Sequence, residues 1–193
     1  MAKKLSEMTL EELWQLFPIF LTEHQAVWAD WYEEEAARLR EALPESARIS
    51  HVGSTAVEGI WAKPIIDILV EVPEEYALPE VGARLAEHGW TRMSAEERRM
   101  SFNRGYTPEG FAERVFHLHL RYAGDHDELY FRDYLRTHPE AAKEYERLKL
   151  SLWKRFEHDR DGYTAAKGDL VARYTAEAKR PHGDGADHSA GGL

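Results

Sequence analysis

The pattern of apolar and polar positions divides the chain into a helical beginning, a strand-rich middle and a helical end. Before Pro44, apolar side chains recur at helical spacing, which predicts a short helix after Thr9 and a longer one after Thr22. Each threonine begins a sequence typical of a capping box, in which side chains satisfy the first free amide groups of a helix. The glutamates at 33–35 are expected to face solvent on the second helix.

The middle of the chain, residues 48–122, has the short apolar runs and turn residues that predict strands, with one helix inserted after Pro79. Residues 65–72 are almost wholly apolar, which is typical of a strand buried on both faces. Residues 115–122 alternate instead, and this alternation predicts a strand with one apolar and one polar face. The two sets are Phe116, Leu118 and Leu120 on one face and His117, His119 and Arg121 on the other.

From Asp125 to Lys179 the pattern becomes helical again and predicts three helices, with Pro139 separating the first two. Residues 180–193 form a glycine-rich polar tail without apolar periodicity, which we interpret as disordered. These elements predict a single domain over residues 1–179. Its fold class is mixed α/β (α+β), with a sheet flanked by helices and a strand order that the pattern leaves open.

The formal net charge of −10 and the absence of cysteine narrow the possible functions. An acidic chain disfavours general binding to nucleic acid, which takes many lysine and arginine contacts, but it allows a small anionic ligand held by local cations. No run approaches the roughly 20 apolar residues that span a bilayer, and the charged amino terminus does not resemble a signal peptide. We therefore expect a cytoplasmic protein that does not enter a membrane. The composition does not identify the oligomeric state.

Asp67 is the main functional clue, because it is an acid in the middle of the apolar run at 65–72. Burying a carboxylate is costly unless another group binds it. Asp67 is therefore interpreted as the partner of a neighbouring arginine, as a ligand of a divalent metal, or as a general base. Lys63, just before this strand, is either a surface cation or a group that reaches an anion at the same corner.

Gly53, Ser54 and Thr55 form a corner between two predicted strands. Small side chains, free amide groups and two hydroxyls make a nest the size of a phosphate, although an ordinary tight turn has the same composition.

His117 and His119 share one strand face, about 6–7 Å apart along the chain. Such a pair binds a metal, shares acid–base work near neutral pH, or is simply structural. A metal site needs at least one further ligand, for which Asp67 and His51 are the candidates.

Four cations on the carboxyl-terminal helices are further candidates. Arg132 and Arg136 share a helix face, while Lys149 and Lys167 lie on later helices whose other faces are apolar. They form either surface ion pairs of little energetic weight or a group that converges on a polyanionic ligand.

The chain resembles the GrpB family in four blocks, which span most of residues 49–171: HVGSTAVEGIWAKPIIDILVEV, FHLHLRY, FRDYLRTHPEAAKEYERLKLSL and DGYTAAKGDLV. The resemblance implies a nucleotidyltransferase-like mixed sheet flanked by helices, with amino-terminal helices like those of many bacterial members. In that superfamily a Gly-Ser corner precedes a strand with metal-binding carboxylates, and Gly53, Ser54 and Asp67 match this order. Some members are joined to dephospho-coenzyme A kinase, which suggests a nucleotide context.

The chain departs from the superfamily pattern at the metal ligands. Ile65 and Leu69 stand where a second carboxylate is usual, and the third acid has no counterpart other than the strand with His117 and His119. The resemblance therefore implies a divalent ion such as Mg²⁺, Mn²⁺ or Zn²⁺, but one carboxylate with imidazoles suits Zn²⁺, Mn²⁺ or Ni²⁺ better than Mg²⁺.

Three functional hypotheses follow. The first is metal-dependent transfer of a nucleoside monophosphate to a small acceptor, with Asp67, His117 and His119 as catalytic and metal-binding residues. The phosphate contacts would come from Gly53, Ser54, Thr55, Lys63, Arg132, Arg136, Lys149 and Lys167. The second is a non-catalytic module that binds a nucleotide or another small anion, which the missing carboxylate favours. The third is a metal-dependent hydrolase, or a transferase with another anionic substrate.

Overall fold

The strand-rich middle of the chain forms one five-stranded mixed sheet, which a computed structural model describes with its flanking helices over residues 3–181. The strands are β1 (Arg48–Val52), β2 (Ile66–Val72), β3 (Thr91–Ala95), β4 (Arg99–Thr107) and β5 (Gly110–Tyr122). The α-helices of this part of the chain are α1 (Leu10–Leu16), α2 (Val27–Ala42), α3 (Leu78–Glu87), α4 (Asp127–Thr137), α5 (Pro139–Trp153) and α6 (Arg160–Lys179). The predicted mixed α/β class is confirmed.

The strand order is β1-β2-β5-β4-β3, which places the two most apolar strands side by side at the centre. β2 and β5 are parallel, and every other neighbouring pair is antiparallel. A parallel pair needs a crossover connection, which α3, β3 and β4 provide between the two central strands. The parallel register sets Asp67 opposite His117 and Leu69 opposite His119.

The two faces of this central pair differ in chemistry. One face carries Ile66, Ile68 and Val70 with Leu118 and other apolar residues of β5, and these side chains are buried beneath α2 and α3. Leaving water stabilises such a cluster by about 25 cal/mol per Å² of apolar surface. The opposite face carries the alternate residues, which are mostly polar: Asp67, Leu69, Glu71, His117, His119 and Arg121.

The carboxyl-terminal helices form a second apolar cluster, which lies on the polar side of the sheet. Phe131 and Leu135 of α4 pack with Tyr145 of α5 and Tyr174 of α6. Val57 and the neighbouring Ile60, from the loop between β1 and β2, join the same cluster. This packing brings three helices next to the Gly-Ser corner and Asp67.

Two details of the amino-terminal prediction are wrong. α1 has the predicted capping box at Thr9, but α2 begins at Val27 with Ala26 as its N-cap and no side-chain cap. Thr22 does not cap a helix, because its backbone N–H and C=O both pair with Ala62. Glu35 was expected in solvent, yet its side chain is only 2% exposed and forms ion pairs with Arg104 and Arg38.

Asp67 is also not the only acid of β2. Glu71 is 3% exposed and accepts hydrogen bonds from Gly124 N–H and from His126 Nδ1, at 3.0 and 2.7 Å. Of the predicted disordered tail, residues 182–193 lie outside the described part of the chain. Within residues 3–181, no helix has the length and apolar character needed to cross a membrane.

Candidate functional site

The site begins at Gly53, which directly follows β1 and turns the chain into a short 3-10 helix at Ser54–Ala56. Gly53 has φ +75° and ψ −173°, a conformation that is essentially reserved for glycine. A Cβ atom at this position would lie 2.6 Å from Oδ2 of Asp67. Glycine is therefore required twice over, because the backbone both bends here and passes directly against the carboxylate.

Asp67 forms a polar cluster with the two predicted histidines. His119 Nε2 lies 3.2 Å from Asp67 Oδ1, which is a hydrogen bond, and His117 Nδ1 lies 3.8 Å from the same oxygen. The other ring nitrogen of His117 is 2.6 Å from the hydroxyl of Tyr106 on β4. The parallel register of β2 and β5 produces this cluster, since it sets the three side chains on one face.

The charges of the cluster follow from burial and hydrogen bonding. Burial opposes ionisation of Asp67, but the hydrogen bond from His119 and the nearby His117 and Lys63 outweigh it and lower the pKa of Asp67 to about 2. Burial lowers the pKa of His117 to about 3, against the opposing effect of Asp67. At neutral pH the cluster therefore combines an ionised carboxylate with a neutral His117 imidazole.

The predicted metal site does not fit these residues. Asp67 is the only carboxylate of the cluster, its Oδ1 is hydrogen-bonded to His119, and His117 is engaged with Tyr106. No group of three histidine or acidic side chains within residues 3–181 is arranged to hold a metal ion. A Mg²⁺ ion in particular needs several oxygen ligands in near-octahedral geometry.

A cavity of about 100 Å³ opens beside Asp67, and we call it the lysine cavity. Lys149 is its most buried cation, at 2% exposure, and its Nζ lies 2.9 Å from Ser54 Oγ and also donates to the carbonyl of Trp61. The cavity is lined by Gly53, Ser54, Thr55, Lys63, Ile65, Asp67, Tyr145, Lys149, Tyr163 and Lys167. Seven of the predicted site residues thus meet around one small space.

The lysines of this cavity have no anionic partner within the described residues. No carboxylate lies within 4.0 Å of Lys63, Lys149 or Lys167 in that part of the chain. Burial, followed by the other two nearby cations, lowers the pKa of Lys149 to about 7. Burial and neighbouring cations lower the pKa of Lys63 to about 7 in the same way. Asp67 opposes the lowering for Lys63, and Glu146 opposes it for Lys149, but neither carboxylate forms an ion pair with these lysines. Desolvated cations that form no ion pair favour the entry of an anion.

Tyrosine rings complete the cavity wall. Lys167 Nζ is 4.4 Å from the ring centroid of Tyr163, and Lys149 Nζ is 4.8 Å from that of Tyr145. Tyr163 is fully buried, and its hydroxyl has no hydrogen-bond partner among the described residues. An unpaired buried hydroxyl costs free energy, so Tyr163 presents a donor that a ligand oxygen would satisfy.

The two predicted arginines lie elsewhere. Arg132 donates to the carbonyl of His51, and Arg136 donates to the carbonyl of Ala56, both at 2.9 Å. Arg136 lines a separate, larger cleft of about 790 Å³, which shares only Thr55 with the lysine cavity. Both arginines brace the backbone around Gly53, and neither lines the lysine cavity.

His51 is wrong as a candidate metal ligand, because it is opposite Ile68 and so lies on the apolar side of the sheet. Its ring stacks on Tyr32 with centroids 4.7 Å apart, and its Nε2 lies 2.9 Å from the hydroxyl of Thr55. Burial lowers the pKa of His51 to about 4, although Asp67 opposes this effect. His51 thus holds the corner in place through Thr55.

Sequence reasoning missed the aromatic partners of the site. Tyr106 holds His117, while Tyr145 and Tyr163 line the lysine cavity. One signal was present: Tyr163 and Lys167 are four residues apart on α6, so they share a helix face. The pairing of Tyr106 with His117 depends on the register of β4 against β5, which the sequence does not specify.

The family model described as GrpB protein matches residues 18–177, and the chain belongs to that family. It is 41% identical to a UPF0157 protein of Pseudomonas aeruginosa over 76% of this chain, and it spans 61% of that protein's length. Among solved structures, the conserved protein GrpB from Enterococcus faecalis is similar, with a TM-score of 0.71 and 30% identity. That match covers 82% of this chain and 96% of the other. The predicted family is confirmed.

Two more distant similarities are to proteins whose names describe an activity. A dephospho-CoA kinase of Mycolicibacterium paratuberculosis is 27% identical over 78% of this chain and 43% of its own length. The Cid1 poly(U) polymerase has a TM-score of 0.49 and 9% identity, with coverage of 66% of this chain and 42% of Cid1. At 9% identity, the roles of site residues in the polymerase cannot be transferred to this chain.

Proposed function

We propose that the lysine cavity binds the phosphate group of a nucleotide or of another phosphorylated small molecule, and that it does so without a metal ion. The observation that carries this proposal is the set of three lysines around the buried hydroxyl of Tyr163. Within residues 3–181 the lysines form no ion pair with a carboxylate, and the hydroxyl has no hydrogen-bond partner. The roles of the site residues in this binding are part of the proposal.

The donors of the cavity suit phosphate oxygens. An ammonium group has three N–H donors, and Lys149 uses two of them on Ser54 and on the carbonyl of Trp61. The hydroxyls of Ser54 and Tyr163 and the ammonium groups of Lys63 and Lys167 add further donors around the same space. Charge-assisted hydrogen bonds of this kind are about twice as strong as those between neutral groups.

The volume supports a single phosphate as the group that enters. A cavity of about 100 Å³ is far smaller than the roughly 300–1,000 Å³ of pockets that enclose drug-sized ligands. The remainder of a phosphorylated ligand would therefore lie outside the cavity. The relative named as a dephospho-CoA kinase is in keeping with a phosphorylated small molecule as the ligand.

Nucleotidyl transfer is the second candidate, and the observation in its favour is the hydrogen bond between His119 and Asp67, which itself lines the cavity. In this scheme Asp67 orients His119, which accepts a proton from the hydroxyl of an acceptor molecule. The lysines would stabilise the negative charge that develops on the transferred phosphate. No step is assigned to a metal, because the ligand set does not fit one.

Isothermal titration calorimetry with ATP, GTP, CTP, UTP and pyrophosphate tests the first proposal, in EDTA and with added Mg²⁺, Mn²⁺ or Zn²⁺. We expect at least one of these probes to bind in EDTA. Its affinity for Asp67→Asn should equal its affinity for the wild type. Binding that requires a metal and disappears in Asp67→Asn would contradict the proposal. Release of pyrophosphate from a nucleotide in the presence of an acceptor would establish the second candidate.

A further inference from the structure

A second, apolar pocket lies next to the lysine cavity. Lys63 and Ile65 line both spaces, so the two are direct neighbours. The second pocket has a volume of about 100 Å³, and we call it the phenylalanine pocket. Its walls come mainly from Pro18, Phe20, Pro64, Phe111 and Val115.

The walls of the phenylalanine pocket are held in place by neighbouring residues. Phe111 packs against Phe17 and Tyr106, with ring centroids 5.0 and 5.2 Å apart. The segment before Phe20 is fixed by its backbone, since Ile19 donates to the carbonyl of Glu157 at 2.7 Å and accepts from the Trp153 indole. Phe20 itself stays 37% exposed, so part of its ring has no protein partner among the described residues.

Two charged side chains stand at this pocket. The guanidinium of Arg160 lies 5.4 Å from the ring of Tyr106, and its Nε is buried without a hydrogen-bond partner among residues 3–181. The second charged side chain is Glu113 on β5, which also lines the pocket and is exposed. A purely aliphatic occupant would leave Arg160 Nε unpaired, whereas a ring atom that accepts a hydrogen bond would satisfy it.

We infer that the phenylalanine pocket binds a heteroaromatic ring carried by the phosphorylated ligand of the lysine cavity. The phosphate would lie among the lysines, while the ring packs against Phe20 and Phe111 and accepts a hydrogen bond from Arg160. Glu113 would accept from an amino or N–H group of the ring. This inference rests on the proposed function, and it restricts the ligand to a phosphate ester with a base-like ring within reach of Lys63.

Calorimetry with matched probes tests the inference: ribose 5-phosphate carries the phosphate alone, while AMP, GMP, CMP and UMP add a base. We expect at least one nucleoside monophosphate to bind about tenfold or more tightly than ribose 5-phosphate, the gain that base stacking on aromatic rings typically provides. Phe111→Ala and Arg160→Met should each reduce this gain and leave the affinity for ribose 5-phosphate unchanged. Leu150→Ala, an exposed position on α5, is the control and should alter neither affinity.

The outcomes separate the inference from the proposed function. Equal affinities for ribose 5-phosphate and all four nucleotides would overturn the inference that the phenylalanine pocket binds a ring. The proposal that the lysine cavity binds a phosphate would still stand. A gain that survives in both variants would also overturn it, because the ring would then bind elsewhere. If none of the phosphates binds, both proposals fail. Thermal unfolding of Arg160→Met, which keeps the aliphatic stem, verifies that any loss is not caused by misfolding.

Discussion

The two faces of the central strand pair show how one sequence separates stability from chemistry. On one face, Ile68 and its neighbours on β5 are fully buried in a continuous apolar core beneath α2 and α3. On the other face, Asp67 and the histidines of β5 are only partly buried, and Asp67 lines a cavity whose lysines form no ion pair within residues 3–181. A shift of one residue along the strand moves a side chain from the apolar core to the polar face, because side chains alternate with a period of two.

The largest predicted effect on stability concerns the apolar face of the sheet. Ile68→Ala removes a fully buried side chain and leaves a cavity, so we expect it to lower the free energy of unfolding by about 2–5 kcal/mol. Urea unfolding followed by circular dichroism measures this loss, with the exposed Met93→Ala as a control that should stay within about 0.5 kcal/mol. Ligand affinity of the folded fraction should not change. If the fully folded Ile68→Ala variant bound the ligand much more weakly than the wild type, stability and binding would not be divided between the two faces.

In the lysine cavity next to the polar face, Lys149 is the residue whose substitution should reduce ligand affinity most. Lys149→Met keeps the side-chain stem and removes the buried charge, and charge-assisted hydrogen bonds contribute about 1.5–3 kcal/mol. Pyrophosphate affinity should therefore fall about 10- to 100-fold by calorimetry. The control is Lys154→Met, a lysine just beyond the end of α5 and outside the cavity lining, which should bind normally. Unchanged affinity in Lys149→Met would place the anion elsewhere.

Gly53 and Gly59 offer a matched pair of variants at the corner. Both glycines have positive φ, but only Gly53 faces the carboxylate of Asp67, whereas a Cβ on Gly59 would meet open space. Gly59→Ala should cost only the backbone strain of about 1 kcal/mol. Gly53→Ala should cost about 1–3 kcal/mol and should also weaken pyrophosphate binding, because Asp67 must move. Equal effects of the two variants on binding would refute the close approach at Gly53.

The smallest effect concerns the pH dependence of stability. Burial, with Lys167 and Lys63, lowers the pKa of Lys149 to about 7 from the usual 10.5. Between these values the unfolded chain binds more protons than the folded one, so the contribution of Lys149 to the unfolding free energy rises with pH. Urea unfolding at pH 7 and pH 8 should show a rise that is smaller in Lys149→Met by about 1 kcal/mol. An identical rise in both proteins would mean that Lys149 is not desolvated.

Local patterns in the sequence were sufficient to predict most elements of the fold. The apolar run of β2, the alternation in β5 and the prolines and glycines between elements have local physical causes, and the structure has the corresponding strands and helices. The helix start after Thr22 failed because Thr22 pairs with Ala62, forty residues away, and long-range pairing overrides a local capping signal. The strand order follows from the same kind of long-range pairing.

The site was predictable in its residue types but not in its grouping. Gly53, Asp67 and the lysines were candidates because a small corner, a buried acid and local cations suit an anion site, although each also has an ordinary structural explanation. Arg132 and Arg136 carry the same charge, yet they hold carbonyls of the backbone. The pairing of Glu71 with His126 was not predictable, since His126 follows β5 and only the fold brings the two together.

The central claim is that an anion binds among the lysines of the cavity without a metal, and its location can be measured directly. A titration of the ¹⁵N-labelled protein with pyrophosphate in EDTA, followed by two-dimensional amide NMR, reports which residues sense the ligand. We predict the largest shifts at Ser54, Thr55 and Lys63, with much smaller ones at Arg136 and Lys143. No saturable shifts, or shifts centred on the cleft at Arg136, would contradict the account.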